Sequence, residues 1–218
     1  MKKNIFIYVA VLAVMLLAAG NLSAINIKKN FKKTQLTLRG GLNMFRVNGA
    51  ESEYVAGTND FPVTPAYKES VCGIGLAFFT SPSFAIGFDF RYGLAAKVDL
   101  RDPSDGETIR VDTPKNLIAA LNLYQYFNLS KQMQIFISLG GGGEYRMADD
   151  KEYTSNLGSK IIIAAPAKPF SPLAAAGIGF NYMFFDSLGI SLECQGAYIF
   201  RTPKQILISP TLGINLKF

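Results

Sequence analysis

The titratable and nucleophilic side chains of this sequence define a short list of chemistries. No histidine is present, which removes Ser–His catalysis and His-ligated metal sites. Seven charged residues recur inside otherwise apolar segments: Arg39, Asp89, Arg91, Glu144, Arg146, Glu193 and Arg201. A carboxylate pair can act as general acid and base, but Glu144 and Glu193 are better explained as partners of nearby arginines. The chemistry expected of this set is ion pairing in an enclosed space, where an unpaired charge is costly. The glycine run Gly140–Gly143 is not a phosphate cradle, because no Lys-Ser or Lys-Thr follows in the required register. Cys72 and Cys194 could join in an oxidising compartment. Their positions on the outer face of well-separated strands favour two free thiols. No catalytic residue, cofactor site or metal site is assigned.

The basic residues are scattered along the chain rather than gathered on one helix, so a net charge of +6 does not point to nucleic acid. The one cluster, Lys28, Lys29, Lys32 and Lys33, reads as a solvated leader, with anionic lipid headgroups as the alternative partner. Ahead of it lies an export-signal pattern. Lys2 and Lys3 form a basic start, Ile5 to about Ala19 an apolar stretch, and Asn21-Leu22-Ser23-Ala24 a small-residue close. Cleavage is expected after Ala24, or alternatively after Gly20. The organisation is therefore a signal peptide over 1–24, a basic periplasmic leader over 25–33 and one domain over 34–218. No run of 18 apolar residues follows the signal, yet mean hydropathy is positive at +0.20 and only 17% of residues are charged. That combination fits strands that alternate apolar and polar residues and meet lipid.

The elements that must position the charges have a period of 2. In the last segment Ile206, Ile208, Leu212, Ile214, Leu216 and Phe218 share one face, and Gln205, Ser209, Thr211, Gly213, Asn215 and Lys217 the other. Seven further segments, roughly 34–47, 67–80, 84–100, 114–128, 133–147, 171–185 and 188–201, read the same way. Each exceeds the about 9–11 residues that a tilted membrane strand needs. The turns near 80–83, 128–131 and 185–187 are short, whereas the connections near 48–66, 101–113 and 148–170 are long, and the connection near Thr202-Pro203-Lys204 breaks the trend by being short. Short turns on one rim and long loops on the other predict an all-β, eight-stranded antiparallel up-and-down transmembrane barrel.

Polarity sets which face points where. The apolar faces are bulky (Phe84, Ile86, Phe88 and Phe90; Ile190, Leu192 and Cys194), and the opposite faces are small or charged. A barrel of this size has an interior just wide enough for side chains. The bulky faces must therefore point outward, and the charged set must lie inside as a network. Interfacial aromatics are expected from Phe79, Phe84, Tyr124, Tyr126, Phe184 and Phe218 at the inner rim, and from Phe45, Tyr92, Tyr145, Tyr198 and Phe200 at the outer rim. Pro210 interrupts the last strand, and a bulge is expected to absorb it. The apolar tract Ile161, Ile162 and Ile163 in the third long loop extends strands above the membrane, packs within that loop or contacts a partner.

These residues resemble a known group. The signal, the eight alternating segments and the terminal Thr211-Leu212-Gly213-Ile214-Asn215-Leu216-Lys217-Phe218 look like the OmpA/OmpX/OmpW-type small outer-membrane barrels. The resemblance implies that Leu212, Ile214, Leu216 and Phe218 form the signal read by the barrel-assembly machinery. It implies outer-membrane lipid as surroundings and an extracellular ligand or host component as a further partner. It also implies a structural or surface-interaction role in the bacterial outer membrane. A narrow passage for small or apolar molecules is the alternative, and a lipid-modifying enzyme a distant third. A shared fold does not choose among them. A soluble lipocalin-type barrel would put its apolar residues inside, contrary to the expected faces.

Overall fold

The computed structural model describes residues 33–48, 66–101, 108–147, 151–154, 160–163, 169–201 and 204–218. The strands are Thr34–Asn48 (β1), Ala66–Ser81 (β2), Phe84–Gly93 (β3), Lys97–Arg101 (β4), Thr108–Asp112 (β5), Lys115–Asn128 (β6), Met133–Met147 (β7), Lys151–Thr154 (β8), Lys160–Ile163 (β9), Phe170–Met183 (β10), Leu188–Ile199 (β11) and Lys204–Lys217 (β12). Eight of them close a barrel in the order β1-β12-β11-β10-β7-β6-β3-β2, every pair antiparallel. The remaining four form two separate hairpins, β4–β5 and β8–β9, in the long connections.

Short hairpins close one rim. At the β6–β7 turn the Ser130 hydroxyl accepts the backbone amides of Gln132 and Met133 at 3.2 and 3.0 Å, and the Leu129 amide donates to the Met133 carbonyl at 2.9 Å. Serine favours such turns because its hydroxyl replaces a backbone acceptor. At the β10–β11 turn the Phe184 amide donates to the Leu188 carbonyl at 2.9 Å.

Alternation turns one side of the barrel strands outward. Phe88, Leu192 and Ile214 are 46%, 58% and 53% exposed, while their chain neighbours Asp89, Glu193 and Asn215 are buried. Exposed apolar side chains continue round the barrel through Leu38, Ile74, Phe90, Leu121, Ile178 and Leu212. A contiguous apolar surface of this kind is ruinous in water and natural among acyl chains. No helix among the described residues is long and apolar enough to cross a membrane.

The structure departs from expectation in four places. The third segment does not run to 100: β3 ends at Gly93, residues 94–96 are irregular, and Lys97 onward belongs to the separate β4–β5 hairpin. Phe45, Phe79, Tyr124 and Tyr126 are not rim aromatics facing lipid, because all four are buried inside. Bulky side chains therefore do fit in the lumen, provided they gather in two groups. These are an aliphatic one (Phe45, Ile118, Leu173, Ile199 and Leu207 with Ala175 and Ala197) and an aromatic one (Phe79, Tyr124, Tyr126 and Phe136 with Ala77 and Ala85). Finally, no bulge accommodates Pro210. The β1–β12 register is the same on both sides of it, and the ladder omits the two pairs between Gly41↔Thr211 and Met44↔Ile208.

Candidate functional site

The charged side chains meet in the lumen because strand parity sends them there. Arg39 on β1, Asp89 and Arg91 on β3 and Glu193 on β11 all sit at inward positions. Arg39 Nη1 donates to Glu193 Oε2 at 2.6 Å and to Asp89 Oδ2 at 3.4 Å. Arg91 Nε donates to Asp89 Oδ2 at 2.7 Å, and its Nη2 lies 2.7 Å from that oxygen and 3.8 Å from Glu193 Oε1. β3 and β11 stand opposite each other in the ring, so this four-charge square bridges the full width of the lumen. Glycines make room for it. A Cβ on Gly75 would run into the Arg39 guanidinium, and one on Gly73 would press on Arg91 Cγ at 3.2 Å.

Toward the long-loop end lies a second group. Arg201 Nη1 donates to Glu144 Oε2 and to Gln205 Oε1, both at 3.1 Å. Arg146 Nη2 donates to Gln205 Oε1 at 2.7 Å, with its Nε 3.6 Å from Glu144 Oε1. The arginines here are thus tied together partly through an amide. The same neighbourhood holds Glu69, which is not among the seven charges expected from sequence. Its two oxygens accept from Asn43 Nδ2 at 2.8 Å and Asn116 Nδ2 at 2.9 Å. A Cβ on Gly93 would collide with the Glu69 carboxylate. The seven expected residues carry four arginines and three carboxylates. Glu69 supplies the fourth, and the surplus positive charge was the signal that one was missing.

Toward the short-turn rim the lumen is part amide, part aromatic. Gln35 Nε2 donates to Thr37 Oγ1 at 3.2 Å, Thr37 Oγ1 to Asn215 Oδ1 at 2.9 Å, and Asn215 Nδ2 to Asn181 Oδ1 at 3.2 Å. Beside this chain Tyr126 packs on Phe79 and Phe136 with ring centroids 5.0 and 5.4 Å apart. Lys217 Nζ sits 5.2 Å above the Phe79 ring and donates to Gln134 Oε1 at 2.9 Å. The cavity bounded by Arg39, Glu193, Tyr124, Asn181 and Asn215 measures about 20 Å³, space for about one water.

The other residues singled out from sequence lie elsewhere. Leu212, Ile214, Leu216 and Phe218 are exposed on the outward face of the last strand. Ile161, Ile162 and Ile163 are in β9, opposite Tyr153, Glu152 and Lys151 of β8. The Tyr153 hydroxyl accepts the Asp112 amide at 3.2 Å, which joins this hairpin to β4–β5. Cys72 and Cys194 are free and exposed on the outer face. Residues 1–32, with the expected signal and most of the basic leader, lie outside the described residues. Among the described residues no three His, Cys, Asp or Glu side chains gather to hold a metal.

No family model matches the chain, and no curated protein matches its sequence. Solved structures do match. Neisserial surface protein A (NspA) superposes with a TM-score of 0.55 at 9% identity, over 85% of this chain and 97% of that one. The outer membrane protein OprG from Pseudomonas aeruginosa gives 0.47 at 13% identity over 87% and 98%. Ail, the attachment invasion locus protein of Yersinia pestis, in complex with the heparin analogue sucrose octasulfate, gives 0.44 at 11% identity over 85% and 99%. At such identities the likeness is one of fold, and the fold is that of the small eight-stranded outer-membrane barrels.

Proposed function

We propose that this chain is a bacterial outer-membrane protein whose barrel is a closed anchor and whose long loops, near 48–66 and 148–170, make contacts at the cell surface. The observation that carries this reading is the Arg39–Asp89–Arg91–Glu193 square, which spans the lumen between opposite strands. Among the described residues, aromatic packing on one side of it and amide-bridged arginines on the other crowd the lumen, which supports a barrel without a continuous water path. Function then falls to the segments that a rigid scaffold displays. In this reading residues 1–24 direct export, 25–33 form a periplasmic leader, and Leu212, Ile214, Leu216 and Phe218 are read by the assembly machinery. The Ile161–Ile163 edge belongs to the contact surface for an extracellular ligand or host component.

The test replaces 148–168 by a short Gly-Ser turn. The truncated protein is expected in the outer-membrane fraction with heat-modifiable migration on a denaturing gel, and with lost adhesion to host cells or weakened resistance of the envelope to detergent. Normal adhesion and resistance in an assembled truncation would sink the loop reading. Stepwise conductance of the purified protein in planar bilayers would sink the closed anchor.

A further inference from the structure

The wall of this barrel has one joint unlike the others. Antiparallel strands exchange paired N–H···O bonds at every second residue. On the β1–β12 seam Thr34 and Phe218 exchange both bonds, at 3.0 and 2.9 Å. The register then assigns the exchanging pairs to the even residues of β1, and Leu42 falls opposite Pro210. The other side of each strand agrees: the Phe79 amide of β2 donates to the carbonyl of Lys33, and the Lys217 amide of β12 donates outward to Ser187. Pro210 thus occupies a position whose amide belongs to the Leu42 carbonyl, and proline has no amide to give. The ladder duly lapses at Leu42 and Asn43.

Two comparisons sharpen the point. Pro172 lies at the end of the β10–β11 ladder, where its carbonyl still accepts the Phe200 amide at 2.8 Å. The other barrel ladders run without an internal gap, the β2–β3 irregularity falling beside the turn at Phe79 and Ser81. At the gap a side-chain bond spans the seam instead: Ser209 Oγ donates to Asn43 Oδ1 at 2.7 Å, both residues being fully buried. Next to it inside stand Phe45 and Leu207, which face each other across the same seam and are buried.

We infer that the barrel wall opens first at this seam, between Gly41–Thr211 and Met44–Ile208, with Asn43 and Ser209 as the clasp that holds it shut. Local opening of this kind is read by amide hydrogen exchange. With the full chain in lipid nanodiscs, the Leu42 and Met44 amides are expected to exchange at least about tenfold faster than the Leu38 amide, which shares their strand and seam. Ser209→Ala accelerates them further, and Pro210→Ala slows them toward Leu38. A second measurement separates opening from the local loss of a bond. In a Cys72→Ser/Cys194→Ser background, a disulfide across the gap (Asn43→Cys/Ser209→Cys) is compared with one across β10–β11 (Ala175→Cys/Ala197→Cys). The seam tether is expected to raise the temperature at which the folded gel band converts, reversibly on reduction, and the control tether to leave it near its starting value. Equal protection of Leu42 and Leu38, or equal effects of the two tethers, overturns the inference.

Discussion

The lumen carries its charge in two groups of equal composition and different construction. The central square of Arg39, Asp89, Arg91 and Glu193 is made of direct ion pairs. The group toward the long-loop end, Glu69, Glu144, Arg146 and Arg201, is built largely through amides. Asn43 and Asn116 hold Glu69, and Gln205 accepts from both arginines. Counted by formal charge each group sums to zero. A buried charge is costly chiefly where it lacks partners, and the two groups supply those partners differently. The difference lies in what an amide can do that an ion cannot: it can turn over and exchange donor for acceptor. The square has no such slack, and the outer group does.

The largest expected effect follows from that rigidity. Arg91→Met leaves Asp89 Oδ2 without the guanidinium that approaches it through two nitrogens, and the square with a net negative charge. A loss of about 3–5 kcal/mol is expected, as for other buried pairs broken on one side. It is measured by the urea concentration at which the fast-migrating folded gel band disappears. The double change Asp89→Leu/Arg91→Met removes both charges and should be less damaging than Arg91→Met alone. If the double variant is the worse one, direct pairing is not what distinguishes the square.

Gly75→Val ranks next. Its side chain would enter the space of the Arg39 guanidinium, and overpacking of this sort costs about 1–3 kcal/mol. Gly40, on the outer face with nothing nearer than the Val71 carbonyl at 3.8 Å, should accept alanine with little change in the same urea titration. Comparable losses at both positions would mean that strand propensity, and not room for the square, governs these glycines.

How much of this was legible beforehand depends on parity. Period-2 alternation assigns a face to Arg39, Asp89 and Glu193 without further information, because every second residue must point the same way. The buried aromatics were within reach of the same rule: Phe79 shares parity with Gly75 and Ala77, and Tyr124 with Asn122. Nearness to strand ends wrongly outweighed parity for these residues. The expected third segment overruns β3 because Leu94 and Val98 continue the apolar alternation past Gly93, and alternation alone cannot tell a barrel strand from a hairpin beyond it. The seam at Pro210 was beyond reach for another reason. Whether a proline forfeits a ladder bond depends on which neighbour its amide faces, and that is fixed by strand pairing, not by the strand itself. Glu69 was recoverable only through charge balance.

Glu69→Gln tests the slack of the outer group. The carboxylate accepts from two amides at once. A glutamine keeps one acceptor, and Asn116 can turn to accept from its new amide. The expected loss is about 1 kcal/mol, the usual net worth of one hydrogen bond, well below that of Arg91→Met. A loss as large as that of Arg91→Met would show that Glu69 is needed as a charge, and would make the two groups alike.

The smallest effect should come from the same conservative swap made in each group. Arg201 reaches both Glu144 and Gln205 through the single nitrogen Nη1. A lysine ammonium is a point charge with several donors, so Arg201→Lys can keep both of these bonds and should cost less than Arg91→Lys. Arg91 instead uses the spread of its guanidinium, with Nε and Nη2 on Asp89 and Nη2 turned toward Glu193. A single ammonium cannot reproduce that fork, so Arg91→Lys should lower the urea midpoint clearly more than Arg201→Lys. The contrast is informative because charge is unchanged in both variants: only geometry differs. Equal midpoints would mean that both groups need charge alone, and the distinction between a rigid square and an amide-cushioned group would have no energetic content.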